Sequence, residues 1–497
     1  MKTDTLTCIL LAGLSSLPLL ADESGEYIDS AFGWNPAPLP PNDVPDSLSK
    51  TLPAELQHSR RQPGVPTPAL ILGQLQRDLN SDDKSGPCRG WIFFPSSPQK
   101  FMPYLDSIFV PGNTCAEPCA LISEDPFSTS AQYVKTALSR VGLQYNLTIS
   151  GDYTHVQPRP APGLRRAFGS VNTSLWGSWF LAKSCDNSCG IFMTYEVDWG
   201  KGVNFNENRS SAQDSIGSLS NPQGCLRGGN GAFIPNLALG ASLFDGTFVF
   251  LVGTLDVSNY LDQNAYSASW SGNLINQSFN YNPCLPLQWA NFGVLTAWQP
   301  TEHFYWLYAG TSANTPVNHN PFNYITSDNW IHVSEIGFIF DDVFGMGPGT
   351  YRLQYTITTN DGQNGSGAAL NFQQQLGRNS QLGFFTRCGL MDDQAAEFTG
   401  VQSAVTAGFV LQAPFTSQGW GSKSNHDQVA LGFLWERAAD SEKPCRYDSE
   451  YGVELSAVAQ ITPTFYLQPD IQYIFNPVHS PERSGEWIFQ IQGVFAF

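Results

Sequence analysis

Trp487-Ile488-Phe489-Gln490-Ile491-Gln492-Gly493-Val494-Phe495-Ala496-Phe497 ends the chain, and its reading decides the fold. Trp487, Phe489, Ile491, Gly493, Phe495 and Phe497 fall on one face of an extended strand. Gln490 and Gln492 fall on the other, among small or aliphatic residues. Successive strand side chains point to opposite faces, so this period of two gives one aromatic face and one face fit for water. An aromatic closing strand that ends on Phe497 predicts a transmembrane β-barrel, with Phe497 as its assembly signal for the barrel-assembly machinery.

The same alternation runs back through the chain. Tyr145, Leu147, Ile149, Gly151 and Tyr153 oppose Asn146, Thr148, Ser150, Asp152 and Thr154. Ile191, Met193, Tyr195, Val197 and Trp199 oppose Thr194, Glu196 and Asp198, and Tyr351, Leu353, Tyr355 and Ile357 oppose Arg352, Gln354, Thr356 and Thr358. Sixteen such segments begin near 144, 166, 190, 233, 247, 288, 304, 331, 351, 368, 381, 401, 427, 447, 464 and 486. Their lengths suit tilted membrane strands. The expected connections at 183–189, 245–246, 299–303, 378–380 and 461–464 are short, and those at 201–232, 257–287 and 312–330 are long. Short turns at one rim and long loops at the other are the pattern of outer-membrane barrels. The 413–426 connection is the exception. The expected fold is therefore all-β, a sixteen-stranded antiparallel barrel over residues 143–497.

Three segments precede it. Residues 1–21, with Lys2, an apolar run from Leu6 to Leu20 and Ala21 before Asp22, read as a cleaved signal peptide. Residues 22–70 are Pro-rich and read as a periplasmic tether. Residues 71–142 are irregular and Cys-containing, a partial plug or periplasmic piece. They end in a short helix over 128–142, where Val134, Ala137, Leu138 and Val141 recur at helical spacing before Gly142.

Composition agrees. Mean hydropathy is -0.20, yet aromatics reach 13%. A barrel hides its apolar residues at alternate positions, so its average looks soluble. A net charge of -18 argues against nucleic acid and against a lumen built to attract anions. Of the ten Cys, nine remain after signal removal, and in an exported chain most are expected to pair with at least one left over. Cys115 with Cys119 and Cys185 with Cys189 could close small loops, and Cys225 could bridge to Cys284. No metal or cofactor is expected, since no His stands near these Cys at zinc-site spacing.

Leu382–Leu390 (LGFFTRCGL), Val401–Phe415 (VQSAVTAGFVLQAPF), Val252–Asp262 (VGTLDVSNYLD) and above all Leu467–Pro477 (LQPDIQYIFNP) resemble the carbohydrate-selective porins of the OprB family. Residues from about 133 to 497 follow that family's order of segments. The resemblance implies a sixteen-stranded outer-membrane barrel for passive uptake of small carbohydrates. The chain departs from it in its Pro-rich extension, its Cys content and an insert around 86–127.

A diffusion pore needs a water-filled lumen and polar groups that replace a solute's hydration. By alternation the lumen receives Glu196, Asp198, Arg352, Arg387, Glu454, Asp470 and Gln472. An Arg on the lipid face would cost about 2–4 kcal/mol at the midplane, which places Arg352 and Arg387 inside. These groups either touch solute or brace the wall against each other. The long 257–287 connection carries the constriction candidates Asn259, Tyr260, Asp262, Asn264 and Trp270, and the 201–232 connection carries Asn204, Asn206, Asn208 and Arg209. No catalytic residues are expected: Asp341 and Asp342 are adjacent and point apart, and His303 and His332 lack a triad context. Two other readings stand beside the sugar porin, a nonspecific porin of the same architecture and an exported sugar-binding or adhesive β protein. Monomer and trimer both remain open.

Overall fold

A computed structural model describes residues 91–93, 127, 131, 134, 138 and 142–497, apart from 158–164, 185–187, 204–210, 224–230, 245, 268–272, 288–289, 302, 314, 316–318, 378–381, 413–426, 443–444, 463 and 481–482. Sixteen strands follow in chain order. The first eight are β1 (Leu143–Gln157), β2 (Ala167–Ser184), β3 (Gly190–Val203), β4 (Gly231–Leu243), β5 (Phe248–Leu255), β6 (Asn291–Thr301), β7 (Phe304–Ser312) and β8 (Trp330–Phe340). The second eight are β9 (Gly349–Asn360), β10 (Gln363–Gln375), β11 (Leu382–Met391), β12 (Val401–Gln412), β13 (Gln428–Ala438), β14 (Ser449–Thr462), β15 (Phe465–Phe475) and β16 (Gly485–Ala496). Each pairs antiparallel with the next, and β16 returns to β1 through Ile491↔Tyr153, Gly493↔Gly151 and Phe495↔Ile149. Closure leaves no edge strand, which a lipid-embedded sheet requires.

Alternation sets the two faces as the sequence predicts. On β16, Trp487, Phe489, Ile491 and Phe495 are exposed while Ile488, Gln490, Gln492 and Val494 are buried. Cross-strand rings continue the outer face, as in Phe465 with Phe495 at 4.6 Å and Tyr473 with Trp487 at 4.7 Å. The inner face is mixed. It carries buried Asn, Gln, Ser and Thr, but also Phe385, Val410, Ala430 and Leu434. That apolar patch departs from the wholly polar lumen of a simple water-filled barrel.

Strand starts fall within a few residues of expectation, except at β10. It begins at Gln363 rather than near 368, because Asp361 and Gly362 make a two-residue turn at φ 48° and 78°. Two positive φ angles are the type I′ hairpin signature. The rim of long connections (158–166, 204–230, 256–290, 313–329) therefore also holds one tight turn. The opposite rim has short turns, as at 463–464, but also the longer 341–348 and 413–427.

Ahead of the barrel, Trp91–Phe93 pairs antiparallel with Ala182–Ser184 at the end of β2. Phe127, Ala131, Val134 and Leu138 have helical backbone. The signal peptide, the tether, Cys115 and Cys119 lie outside the described residues. Two expected bridges are not made. Cys189 is a free thiol, its backbone closing the β2–β3 turn through Ser184 N to Cys189 O at 2.8 Å. Cys284 is free and buried, so it is not bridged to Cys225, which lies outside the described residues.

At the seam, Phe497 N donates to Leu147 O at 2.8 Å and Leu147 N donates to Phe497 O at 3.0 Å. The Phe127 ring meets Phe497 edge-on at 6.3 Å. Deleting Phe497 removes this last ladder step and its ring contact. The expected outcome is a lower yield of folded barrel, read as the fraction of protein whose gel mobility shifts on heating. An unchanged folded fraction would show that β16 closes without it.

Candidate functional site

The longest connection, residues 256–290 between β5 and β6, is built from short self-capped turns. Asp256 caps the 3-10 turn Val257–Asn259 by accepting from Ser258 N at 3.0 Å. Asn264, Asn276 and Asn282 each accept from the backbone N–H two residues on, at 3.0, 3.0 and 3.1 Å. Such side-chain turns rigidify a segment whose regular structure, among the described residues, is the Val257–Asn259 turn and the four-residue helix Gln277–Asn280.

Its outer partners are the inward side chains of the wall. Arg387 on β11 is fully buried. Its Nη1 donates to Phe279 O at 2.6 Å, and its Nη2 donates to Asp262 O at 3.0 Å and to Ser267 O. Its Nε lies 2.9 Å from Asp262 Oδ2 as an ion pair, without the alignment of a hydrogen bond. One guanidinium thus holds two stretches of the segment, 262–267 and 279–280. Asp262 is satisfied from other sides too, by Asn282 N at 2.6 Å, Asn371 Nδ2 at 2.6 Å and Gln354 Nε2 at 2.9 Å. Glu335 on β8 accepts from Asp262 N at 2.9 Å, Tyr305 Oη at 2.8 Å and Gln354 Nε2 at 2.7 Å. Arg352 on β9 donates from Nε to Tyr305 Oη at 2.9 Å and from Nη2 to Gln373 Oε1 at 3.2 Å.

Farther round the wall, Glu454 on β14 accepts from Ile275 N and, at 3.1 Å, from Asn276 N. Gln472 on β15 accepts from Asn276 Nδ2 at 3.2 Å, and Gln468 donates to Asn273 O at 2.8 Å. Asn264 Nδ2 donates to Asn371 Oδ1 at 2.7 Å. At the other end, Asn259 Nδ2 donates to Glu196 on β3 at 2.8 Å, and Tyr260 Oη accepts from Asn236 at 2.8 Å. Burial pushes the Tyr260 phenol up to about 12, so it stays a neutral hydroxyl.

Apolar packing completes the seat. Tyr266, Leu274 and Phe279 cluster with Phe385, Val410, Ala430 and Leu434 of the wall. Glycines make the room. A Cβ at Gly383 would lie 2.1 Å from the Tyr266 ring, and one at Gly432 would lie 2.7 Å from Phe279 Cζ. One at Gly389 would lie 2.8 Å from Cys284 Cβ.

A second segment is held in the same way. Helix α1 (Ala212–Ile216) ends on Gly217 at φ 71°. Glu450 on β14 then accepts from Ser218 Oγ, Leu219 N and Ser220 N, each at 2.8 Å. Directly across the strand pair stands Glu436, also buried. Neither of its oxygens has a hydrogen-bond partner, and Ser278 faces it without hydrogen-bonding geometry.

Among the described residues of this arrangement no nucleophile is paired with a base. Among the described residues no group of three or more His, Cys, Asp or Glu could hold a metal ion. What it offers is a closed barrel whose inner wall binds two connections from the long-loop rim.

The family model for the carbohydrate-selective porin, OprB family, matches residues 349–497. That stretch, β9 to β16, is similar to the OprB family. Among solved structures, the high-pH structure of Pseudomonas putida OprB is similar with a TM-score of 0.60 at 15% identity, covering 77% of this chain and 100% of that one. The low-pH structure of Pseudomonas putida OprB aligns with a TM-score of 0.43 at 15% identity, over 74% and 97%. A mutant of the Rh. blastica porin gives 0.42 at 10% identity, over 71% and 99%. At 15% identity the first likeness is one of fold, and the other two add nothing to it. No curated protein matches the sequence. The OprB family is one of outer-membrane transport channels, and the chain carries that channel fold.

Within this OprB-type barrel, Glu196, Asp198, Arg352, Arg387, Glu454, Asp470 and Gln472 all lie on the inner face and all are buried. Arg352 and Arg387 come together through Asn371, Glu335 and Asp262, and Glu454, Asp470 and Gln472 form a second group. Asn259, Tyr260, Asp262 and Asn264 turn toward the wall, and Trp270 lies outside the described residues. Asn204, Asn206, Asn208 and Arg209 lie outside them as well. Asp341 and Asp342 are exposed on the 341–348 turn. Sequence reasoning missed Glu335, Asn371, Gln373, Glu436 and Glu450 as site residues. Strand parity assigns each to the inner face, so that signal was present.

Arg387→Ala strips Asp262 of its cation and leaves four carbonyl contacts unmade. Removing one partner of a buried ion pair costs about 3–5 kcal/mol, which here loosens segment 256–290 rather than the barrel. Cys284 reports it. Burial, with the nearby Glu436 carboxyl, pushes that thiol well above its usual range, and thiolate is the reactive form. Peptide mapping after maleimide treatment is expected to find Cys284 unmodified in the native protein and modified in Arg387→Ala. Equal protection in both would show that Arg387 does not hold the segment.

Proposed function

We propose that this chain is an outer-membrane porin through which small neutral sugars diffuse passively, in a barrel narrowed by segment 256–290. One observation carries the reading. The segment is bound to inner-face residues of β3, β8, β10, β11, β14 and β15, which keeps its backbone inside the ring of strands. A porin connection that merely covered the rim would have no use for a buried Arg and two buried Glu aimed at its amides. The OprB-family match over 349–497 supplies the carbohydrate class.

In this reading the wall charges brace the segment and leave solute contact to its free side. Gln277, Asn280 and Tyr281 are half-buried there, while most of their neighbours are buried. Amide and phenol groups match sugar hydroxyls, and an aromatic ring offers a face for sugar C–H groups. Among the described residues the buried cations are Arg352 and Arg387, set against buried Asp152, Glu196, Asp198, Asp256, Asp262, Glu335, Asp427, Glu436, Glu450, Glu454, Asp470 and Glu486. That balance favours neutral solutes over anionic ones. The apolar outer wall speaks against a detergent-independent exported binding protein, since exposed patches of that extent mark a membrane or partner surface.

Single-channel conductance in planar bilayers, titrated with mono- and disaccharides, tests the proposal. The expected result is a stable channel whose current falls with sugar concentration, and falls less with a sugar acid of equal size. A channel indifferent to every sugar would make this a general porin.

A further inference from the structure

Inward amides are used on one side of the barrel and left over on the other. On β10 the carboxamides of Asn371 and Gln373 hold segment 256–290. Asn371 Nδ2 donates to Asp262 Oδ1 at 2.6 Å, and Gln373 Oε1 accepts from Ala265 N at 2.8 Å. Across the barrel stand four more inward carboxamides: Gln468 on β15, Gln490 and Gln492 on β16, and Asn172 on β2. Each is at most 4% exposed. The carbonyl oxygen of every one lacks a hydrogen-bond partner, and so do the NH2 groups of Gln492 and Asn172. The four adjoin. Gln468 faces Gln492 across β15 and β16, Gln492 faces Asp152 across the seam, and Asp152 faces Ser170, two residues before Asn172. Buried polar groups are hydrogen-bonded almost throughout proteins, and each exception asks for a cause.

The inward segments border this patch without using it. Segment 256–290 reaches β15 where Gln468 Nε2 donates to Asn273 O at 2.8 Å. Gln223, past helix α1, reaches β1 by donating from Nε2 to Asp152 Oδ2 at 3.1 Å. Among the described residues β16, which lies between β15 and β1, makes no hydrogen bond to either segment. The patch therefore offers four acceptors and two donor groups. A cation would meet the oxygens and leave both NH2 groups unpaired. A hydroxyl both donates and accepts, so a neutral polyol meets both kinds. A side-chain amide sets an acceptor beside a donor, which matches adjacent hydroxyls on one sugar ring.

We propose that Gln468, Gln490, Gln492 and Asn172 form a binding subsite for the hydroxyls of a neutral sugar, so that the solute path runs along β15, β16, β1 and β2. Sugar enters by parting Asn273 from Gln468 and Gln223 from Asp152, while the anchorage at Arg387 stays in place. The inference rests on the sugar-porin reading and adds a contact on the barrel wall to those on the free side of segment 256–290.

The test is block of the full-length channel by glucose and by sucrose in planar bilayers, with Gln492→Met and Asn172→Leu as variants. Each change keeps the size of the side chain and removes its donor and acceptor. The half-blocking sugar concentration is expected to rise about tenfold in each, the effect of losing hydrogen bonds to a neutral hydroxyl, with ion conductance close to native. Thr311→Val, a buried inward change on β7, should keep native block. The gel mobility shift on heating gives a second readout. Neither amide has a partner to lose, so the variants should unfold at no lower temperature than the native barrel. If either variant gives no channels, Gln492→Ala and Asn172→Ala decide in its place. Equal block of native and variant channels would overturn the subsite, leaving water alone on these amides and the sugar-porin reading intact. Unchanged block with a lower unfolding temperature would overturn it too, by making the amides braces of the wall. A native channel that neither sugar blocks would overturn both the subsite and the reading it rests on.

Discussion

The buried pair of Arg387 and Asp262 is the constraint on which the interior depends. A guanidinium removed from water carries a penalty of several kcal/mol unless an anion is close and hydrogen bonds satisfy it. Arg387 has Asp262 as its anion and donates from Nη1 and Nη2 to carbonyls at 262, 267 and 279, all supplied by segment 256–290. Asp262 meets its own with Asn282, Asn371 and Gln354. Each satisfied group fixes another, so the segment has one place to lie. The carboxyls of Glu335 and Glu454 extend the same logic by accepting backbone N–H groups that would otherwise be buried without partners.

The wall is shaped to receive this. A tilted strand offers its inner face every second residue, and each inward side chain normally fills the lumen. Gly383, Gly389 and Gly432 break that rule where Tyr266, Cys284 and Phe279 need to enter. Burying a Phe or Leu there contributes about 1.5–3 kcal/mol each, so the segment is held by packing as well as by charge. The outer wall follows a different economy. It needs only apolar area and belt aromatics, as at Phe465 with Phe495 and Tyr473 with Trp487.

Most of the barrel was legible because membrane strands repeat one signal. Alternation located β1 to β16 within a few residues. It faltered at β10, where Gln363-Asn364-Gly365-Ser366-Gly367 offers no apolar residue to mark a face. Asp361-Gly362 held the missing information as a turn signature. The contents of the lumen were not legible. Asp262 and Arg387 are 125 residues apart, and a connection with neither period two nor period 3.6 gives no hint of which wall it meets. The pairing of Cys284 failed for the same reason. Loop position suggested a bridge, but the thiol belongs to a packed interior.

The most direct measurement locks segment 256–290 to the wall in a working channel. Asn264→Cys with Asn371→Cys places thiols where the two side chains now hydrogen-bond at 2.7 Å, and a short bifunctional thiol reagent joins them. Single-channel conductance and sugar block are then recorded before and after cross-linking. If the conducting state is the one described, both stay unchanged. A fall in conductance on cross-linking would mean that the open pore holds the segment elsewhere, and would contradict the account.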